Sequence, residues 1–315
     1  MFQTVRKHIP APIERWLGIL AAAGRNWMES QAFIYAAALA FFTVFSIAPV
    51  MIVIVALVGV VLGEETARAE LMGQVEAVLG AQASGVVETA IQNSQIEGGG
   101  LWPTIAGIAA TAVGATTVFA QMQKSLNQIW DVAPRPTRNS AWLFFRSRVL
   151  SLTIVLAIGF ILLVSLLLSV VVRAVMAHAE LWLPIPGWAM IGVEILLSLT
   201  IVTMLFAAIF RILPDVVLRW SDVLAGAFIT ALLFTLGRSL IAWYLANTAA
   251  ASAYGAAGSL VLLLLWVNYS SLILLFGASV CRSRLEADDR PIRPRNTAVR
   301  VHRELIEEKS PQAES

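Results

Sequence analysis

Residues 258–281 read GSLVLLLLWVNYSSLILLFGASVC, 24 positions without a charge, closed by Arg282 and Arg284. A helix needs about 20 mostly apolar residues to cross the hydrocarbon of a bilayer. The stretch is continuously apolar rather than alternating, and backbone groups in lipid must find partners within their own segment. It therefore reads as a membrane-spanning helix, and five further stretches read the same way. They are 32–62, 101–122, 149–176, 189–212 and 222–246. Composition agrees. The chain has 315 residues, 58% hydrophobic and 13% charged, against roughly 45–50% and about 25% in soluble domains. Mean hydropathy is +0.78.

Lysines and arginines set the orientation. The first 31 residues carry Arg6, Lys7, Arg15 and Arg25. The loop 63–100 carries Arg68 alone, against Glu64, Glu65, Glu70, Glu76, Glu88 and Glu97. The loop 123–148 is basic again, with Lys124, Arg135, Arg138, Arg146 and Arg148. Loops 177–188 and 247–257 hold no Lys or Arg, Arg211 and Arg219 flank the turn between them, and the segment after Cys281 is basic. The expectation is an all-α, polytopic six-helix bundle with both termini in the cytoplasm.

Three regions follow. Residues 1–31 form a cytoplasmic segment with no cleavable signal peptide. Trp16, Leu17, Ile19, Leu20 and Trp27 alternate there with basic residues, as in an amphipathic helix at the headgroup level. Residues 32–281 form the membrane domain. Residues 282–315, rich in charge and holding Pro291, Pro294 and Pro311, read as a largely disordered tail with room for one short helix near 298–308. In the first outer loop, Leu71, Met72, Val75, Val78 and Leu79, then Val86, Val87, Ala90 and Ile91, recur at helical spacing. They predict two short amphipathic helices, broken near Gly80–Gly85 and lying over the outer face.

Several positions inside the spans carry polar chemistry. Ser46-Ile47-Ala48-Pro49 falls within the long first span. Pro49 lacks a donor and clashes with the carbonyl of Phe45, so a kink or break is expected there. A break would leave free backbone groups for a substrate. A kink healed by neighbouring helices would not. Arg173, Glu194 and Arg238 are ionisable residues within spans, each a functional hypothesis by its cost. Arg173 and Glu194 lie roughly 6–8 Å, and Arg238 about 12 Å, inside the outer ends of their helices. Glu194 is placed to pair with Arg238, with Arg173 or with both, and one carboxylate against two guanidiniums would leave a positive site for an anionic group. The plainer alternative is a structural Glu194–Arg238 pair with Arg173 reaching the headgroups. Asn268, near the middle of the sixth span, must bond another helix or water in a cavity. Gly107 and Gly114, seven apart, would let a neighbour approach the second span.

Other chemistries find no support. The histidines, His8, His178 and His302, are scattered, so no His-rich metal cluster is expected. Phosphate-loop, nucleophile-elbow and zinc-protease motifs are missing from the sequence. One cysteine, Cys281, allows no internal disulfide. A net charge of +2 is too small for a nucleic-acid footprint. No catalytic residue, metal or cofactor is expected, and the sequence sets no oligomeric state.

The chain resembles the YihY/BrkB family of bacterial inner-membrane proteins. The parts that carry the likeness are AAALAFFTVFSIAPV at 36–50, FAQMQKSLNQIWDV at 119–132, FRILPD at 210–215, AGA at 225–227 and YGAAGSLVLLLLWVNYSSLILLFGA at 254–278. The last is the most specific, and the order of the pieces along one six-span chain strengthens the match. The resemblance implies six helices and a bacterial inner membrane, and little about activity. Members often carry Glu after the final Gly-Ala, whereas Ser279 follows Gly277-Ala278 here. The family's older ribonuclease BN label fits poorly with a chain that offers no metal cluster. Two functions remain open. One is transport of a lipid or amphiphilic anion, with Ser46, Pro49, Glu194, Arg238, Arg173 and Asn268 along the path. The other is a membrane scaffold that recruits envelope partners through residues 65–96.

Overall fold

The computed structural model describes residues 11–79, 84–85, 88–89, 101–135, 187–247 and 256–301. Within them the elements are α1 (Ala11–Glu29), α2 (Ala32–Leu62), α3 (Glu64–Leu79), α4 (Leu101–Ile129), β1 (Val132–Pro134), α5 (Gly187–Ile212), α6 (Trp220–Asn247), α7 (Ala256–Ala287) and β2 (Ala298–Arg300). Among the described residues, three stretches are long and apolar enough to cross a membrane: Ile195–Ile212, Trp220–Leu240 and Leu263–Ala287. The bent pair Ile13–Glu29 with Ala32–Ile47 makes a fourth candidate. The expected third span, 149–176, lies outside the described residues.

The long α7 is the hub, packed by α1, α2, α4 and α6. Its seam with α6 is built on small residues. A Cβ added at Gly226 would fall 2.3 Å from the Cys281 sulfur, one at Gly277 1.8 Å from Thr230 Oγ1, and one at Gly237 2.0 Å from the Tyr269 ring. Contacts that rise along α6 as they fall along α7 make the two helices antiparallel. Close backbone approach of this kind is how helices associate where lipid offers no hydrophobic drive.

α1 lies along the C-terminal half of α7. Ile19 and Ala23 bury against Val280, and the Trp27 indole N–H donates to the Leu272 carbonyl at 3.1 Å. Ile13, Trp16 and Leu17 stay exposed. The chain then turns by 67° into α2. Gln31 makes the turn in the left-handed region, at φ 56°.

Of the two alternatives at Pro49, a break or a helix sustained by its neighbours, the break is not found. α2 runs as a helix from Ala32 to Leu62 with Pro49 inside it. Gly114 on α4 receives the ring: a Cβ there would sit 2.8 Å from Pro49 Cγ and 3.1 Å from its Cβ. The neighbour thus supports the helix where the proline removes a hydrogen bond. The interface expected at Gly114 is present, while the surroundings of Gly107 lie outside the described residues. Gly114→Ala is expected to cost about 1–2 kcal/mol, read as a lowered midpoint of thermal unfolding in detergent.

At Gly63, φ is +83°, a conformation suited to glycine, and the chain reverses there. α3 then folds back so that Ala67 and Leu71 pack on Met51, Ile54 and Val55 of α2. The first of the two expected outer-loop helices is therefore present, docked on α2. Of the second, 84–85 and 88–89 are helical, and the rest of 80–100 lies outside the described residues.

Three readings of the sequence need correction at the basic end. α4 extends to Ile129 and α7 to Ala287, past the expected limits of 122 and 281. The fold is not wholly helical, because β1 and β2 pair antiparallel with Val132 opposite Arg300 and Pro134 opposite Ala298. The region after 281 is not a disordered tail through residue 301, and 298–300 are strand rather than helix. A partner strand supplied from 132–134 decides this, since Val299 and Val301 suit a paired extended chain. Residues 302–315 lie outside the described residues.

Candidate functional site

The polar residues converge where α4, α5, α6 and α7 reach the basic end. α4 places Gln123 and Asn127 four apart on one face, and Asp131 stands in the turn just past its end, at φ 48°. Asp215 stands in the turn after α5. Its carboxylate accepts from Asn127 Nδ2 at 2.8 Å and from Gln123 Nε2 at 3.2 Å, and its own N–H donates to Asn127 Oδ1 at 2.8 Å. Arg282 of α7 reaches the same helix end. Its guanidinium lies 2.7 Å from Asp131 and 2.8 Å from Glu286 and donates to the Ile129 carbonyl at 2.6 Å.

Residues 290–301 then run across this end as a strap. The Val217 N–H donates to the Arg293 carbonyl at 2.9 Å, and the Arg295 N–H to that of Asp215 at 2.8 Å. The Arg135 N–H donates to the Thr297 carbonyl at 2.9 Å, and the Val301 N–H to that of Asp131 at 2.8 Å. Arg290 pairs with Asp222 at the start of α6. That hydrogen bond, with the attraction of the same carboxylate, holds the Arg290 pKa above its ordinary value. The strap therefore joins four helix ends through groups whose donors and acceptors are largely used up. Such a cluster fixes geometry, and it presents no nucleophile paired with a base.

The residues expected to carry function lie deeper. Ser46 is buried on α2 and Pro49 rests on α4. Asn268 is half-buried on α7, and Arg238 is exposed on α6. The Tyr269 ring lies against Gly237, and its hydroxyl donates to the Leu233 carbonyl at 3.3 Å. Asn268 and Arg238 are the chain neighbours of that contact, so they share one height on the α6–α7 seam. Ser46 stands on α2, which packs on α7 as α6 does. Glu194 belongs to α5, but its side chain lies outside the described residues, as does the whole of Arg173. Pairing among Glu194, Arg238 and Arg173 therefore also falls outside them. Among the described residues, no group of three or more His, Cys, Asp or Glu converges as a metal site would require.

Long apolar helices held at one end by a charged strap define a helical membrane protein that crosses the bilayer more than once. The chain belongs to the BrkB family: the family model described as Virulence factor BrkB matches residues 23–300, ending on the last residue of β2. It is 28% identical over 180 residues to the UPF0761 membrane protein MS0032 of Mannheimia succiniciproducens, covering 55% of this chain and 58% of the relative. It is 27% identical over 255 residues to the putative ribonuclease-like protein YfkH of Bacillus subtilis, covering 78% and 86%. A third relative, the UPF0761 membrane protein Bpet3042 of Bordetella petrii, is 39% identical over 79 residues, covering 25% and 18%. The match spans less than two thirds of the length of the Mannheimia and Bordetella relatives. No solved structure matches the chain.

Proposed function

We propose that the chain is a six-span protein of the bacterial inner membrane, with both termini cytoplasmic, that moves a lipid or amphiphilic anion between leaflets and is not an enzyme. The observation that carries the reading is Arg238. It is exposed on α6, within the apolar span Trp220–Leu240, and has no carboxylate partner among the described residues. A guanidinium within an apolar span favours a counter-charge, and Asn268 at the same height supplies further polarity. A lipid phosphate satisfies both. Proteoliposomes with labelled phospholipid test this. Protein-dependent movement between leaflets is expected, falling at least tenfold in Arg238→Ala and in Glu194→Ala. Folded, inserted native protein that moves no lipid would overturn the reading.

A second reading, a scaffold for envelope partners, is favoured by α3, which buries Ala67 and Leu71 on α2 and leaves Glu65 and Glu76 exposed. It predicts that deleting 65–96 abolishes function and that native protein moves no lipid.

A further inference from the structure

The basic end carries a second cluster beside the strap. The Arg211 guanidinium lies 4.5 Å from the centre of the Trp220 ring, and that of Arg284 lies 5.8 Å from the Trp16 ring. Arg284 Nη1 also donates to the Ser221 carbonyl at 3.3 Å. Arginines from α5 and α7 are thus brought to adjacent residues at the start of α6, and Arg219 stands next to them in the chain.

Three carboxylates near this corner are paired with other arginines: Asp222 with Arg290, Asp288 with Arg15 and Glu286 with Arg282. Among the described residues Arg211, Arg219 and Arg284 have no carboxylate partner. Three guanidiniums are thus left outside the ion pairs of the described residues. The two indoles beside them are 39% and 44% exposed, an unusual placement for tryptophan unless lipid covers it. Ile13 and Leu17, on the same helix as Trp16, are exposed as well.

We propose that this corner binds the phosphate of an anionic phospholipid between Arg211, Arg219 and Arg284. Trp16 and Trp220 lie at the level of its glycerol, and its acyl chains run past Ile13 and Leu17. The chemistry is specific in three ways. A guanidinium fork matches phosphate oxygens in pairs. Tryptophan rings prefer the headgroup boundary. A juxtamembrane cluster of arginines attracts anionic lipid of the cytoplasmic leaflet. The exposed apolar side chains favour a lipid over free phosphate. The site stands about 27 Å along α6 from Arg238, so it holds whether or not the chain transports anything.

Native mass spectrometry of the full chain tests the site after exchange into phosphatidylcholine, with phosphatidylglycerol or inorganic phosphate added. Phosphatidylglycerol is expected to be retained in preference to phosphatidylcholine and not to be displaced by millimolar phosphate. Arg211→Gln and Arg284→Gln should each weaken its binding roughly fivefold, while Arg300→Gln, on β2, should leave it unchanged. Equal retention of the two lipids by native protein would overturn the proposal, and that comparison needs no variant. So would displacement by phosphate alone, or an equal loss in Arg300→Gln.

Discussion

Gly277→Ala is expected to lower the stability of the membrane domain by about 3 kcal/mol, the upper part of the range for overpacking a tight contact. The new methyl would lie 1.8 Å from Thr230 Oγ1 and 3.0 Å from Phe210 Cζ. Thr230 is fully buried, and its hydroxyl donates to the Gly226 carbonyl at 2.7 Å. Thr230 Cβ would also lie 3.1 Å from the new methyl, so turning the hydroxyl away does not clear the contact and α6 and α7 must shift. Gly73, with nothing near its missing Cβ, is the control. Gly73→Ala should be neutral or stabilising by up to about 1 kcal/mol, because alanine is the better helix former. Thermal unfolding in detergent reads both. The pair Gly277→Ala with Thr230→Gly should recover much of the loss, which ties the effect to this contact rather than to the helix.

Arg282→Ala is expected to cost about 2 kcal/mol and to loosen the strap. The Arg282 side chain is 12% exposed, whereas its partners Asp131 and Glu286 are 31% and 39% exposed. Water therefore shares part of the charge, and the cost sits below that of a fully buried pair. Losing the guanidinium removes the bond to the Ile129 carbonyl as well. The backbone carbonyl of Asp131 accepts from the Val301 N–H at 2.8 Å, so the residue whose carboxylate meets Arg282 also holds the β1–β2 end. Faster amide exchange at 298–301 in Arg282→Ala, with α5 and α6 unchanged, is the expected result. Arg282→Lys should fall between the two, since an ammonium cannot reproduce the planar fork.

The helices were legible because lipid leaves the backbone little choice. The run 32–62, read as one span, is one helix, α2, of which Ala32–Ile47 pairs with Ile13–Glu29 as a bent candidate crossing. The run 189–212 differs from α5 by two residues at one end. The acidic stretch from Glu64 announced α3 through its apolar spacing. The α6–α7 seam was half visible: Gly277 and Cys281 are small residues four apart, but nothing in a single chain says which helix they face.

The strapped end was hidden for a related reason. Asn127 meets Asp215 across 88 positions, and Arg282 meets Ile129 across 153. The stretches FAQMQKSLNQIWDV and FRILPD were recognised as signatures, and they hold Gln123, Asn127, Asp131 and Asp215. Taken singly, each residue reads as the polar end of a membrane helix. The fourfold spacing of Gln123 and Asn127 on α4 was the signal available. Pro291 and Pro294 suggested disorder because a strand of three residues has no pattern of its own until its partner is known. The two readings of Pro49, a break or a kink healed by neighbours, could not be separated in the same way, since the glycine that receives its ring stands on another helix.

The orientation of the basic end supports both the proposed transport and the lipid site, and labelling with a membrane-impermeant maleimide tests it. The native Cys281 is 1% exposed, so single cysteines can be read against a low background. Glu76 on α3 and Arg293 on the strap are both exposed. In intact cells Glu76→Cys is expected to react, and Arg293→Cys is expected to react only after the membrane is opened. Reaction of Arg293→Cys in intact cells would contradict the cytoplasmic placement of the strap.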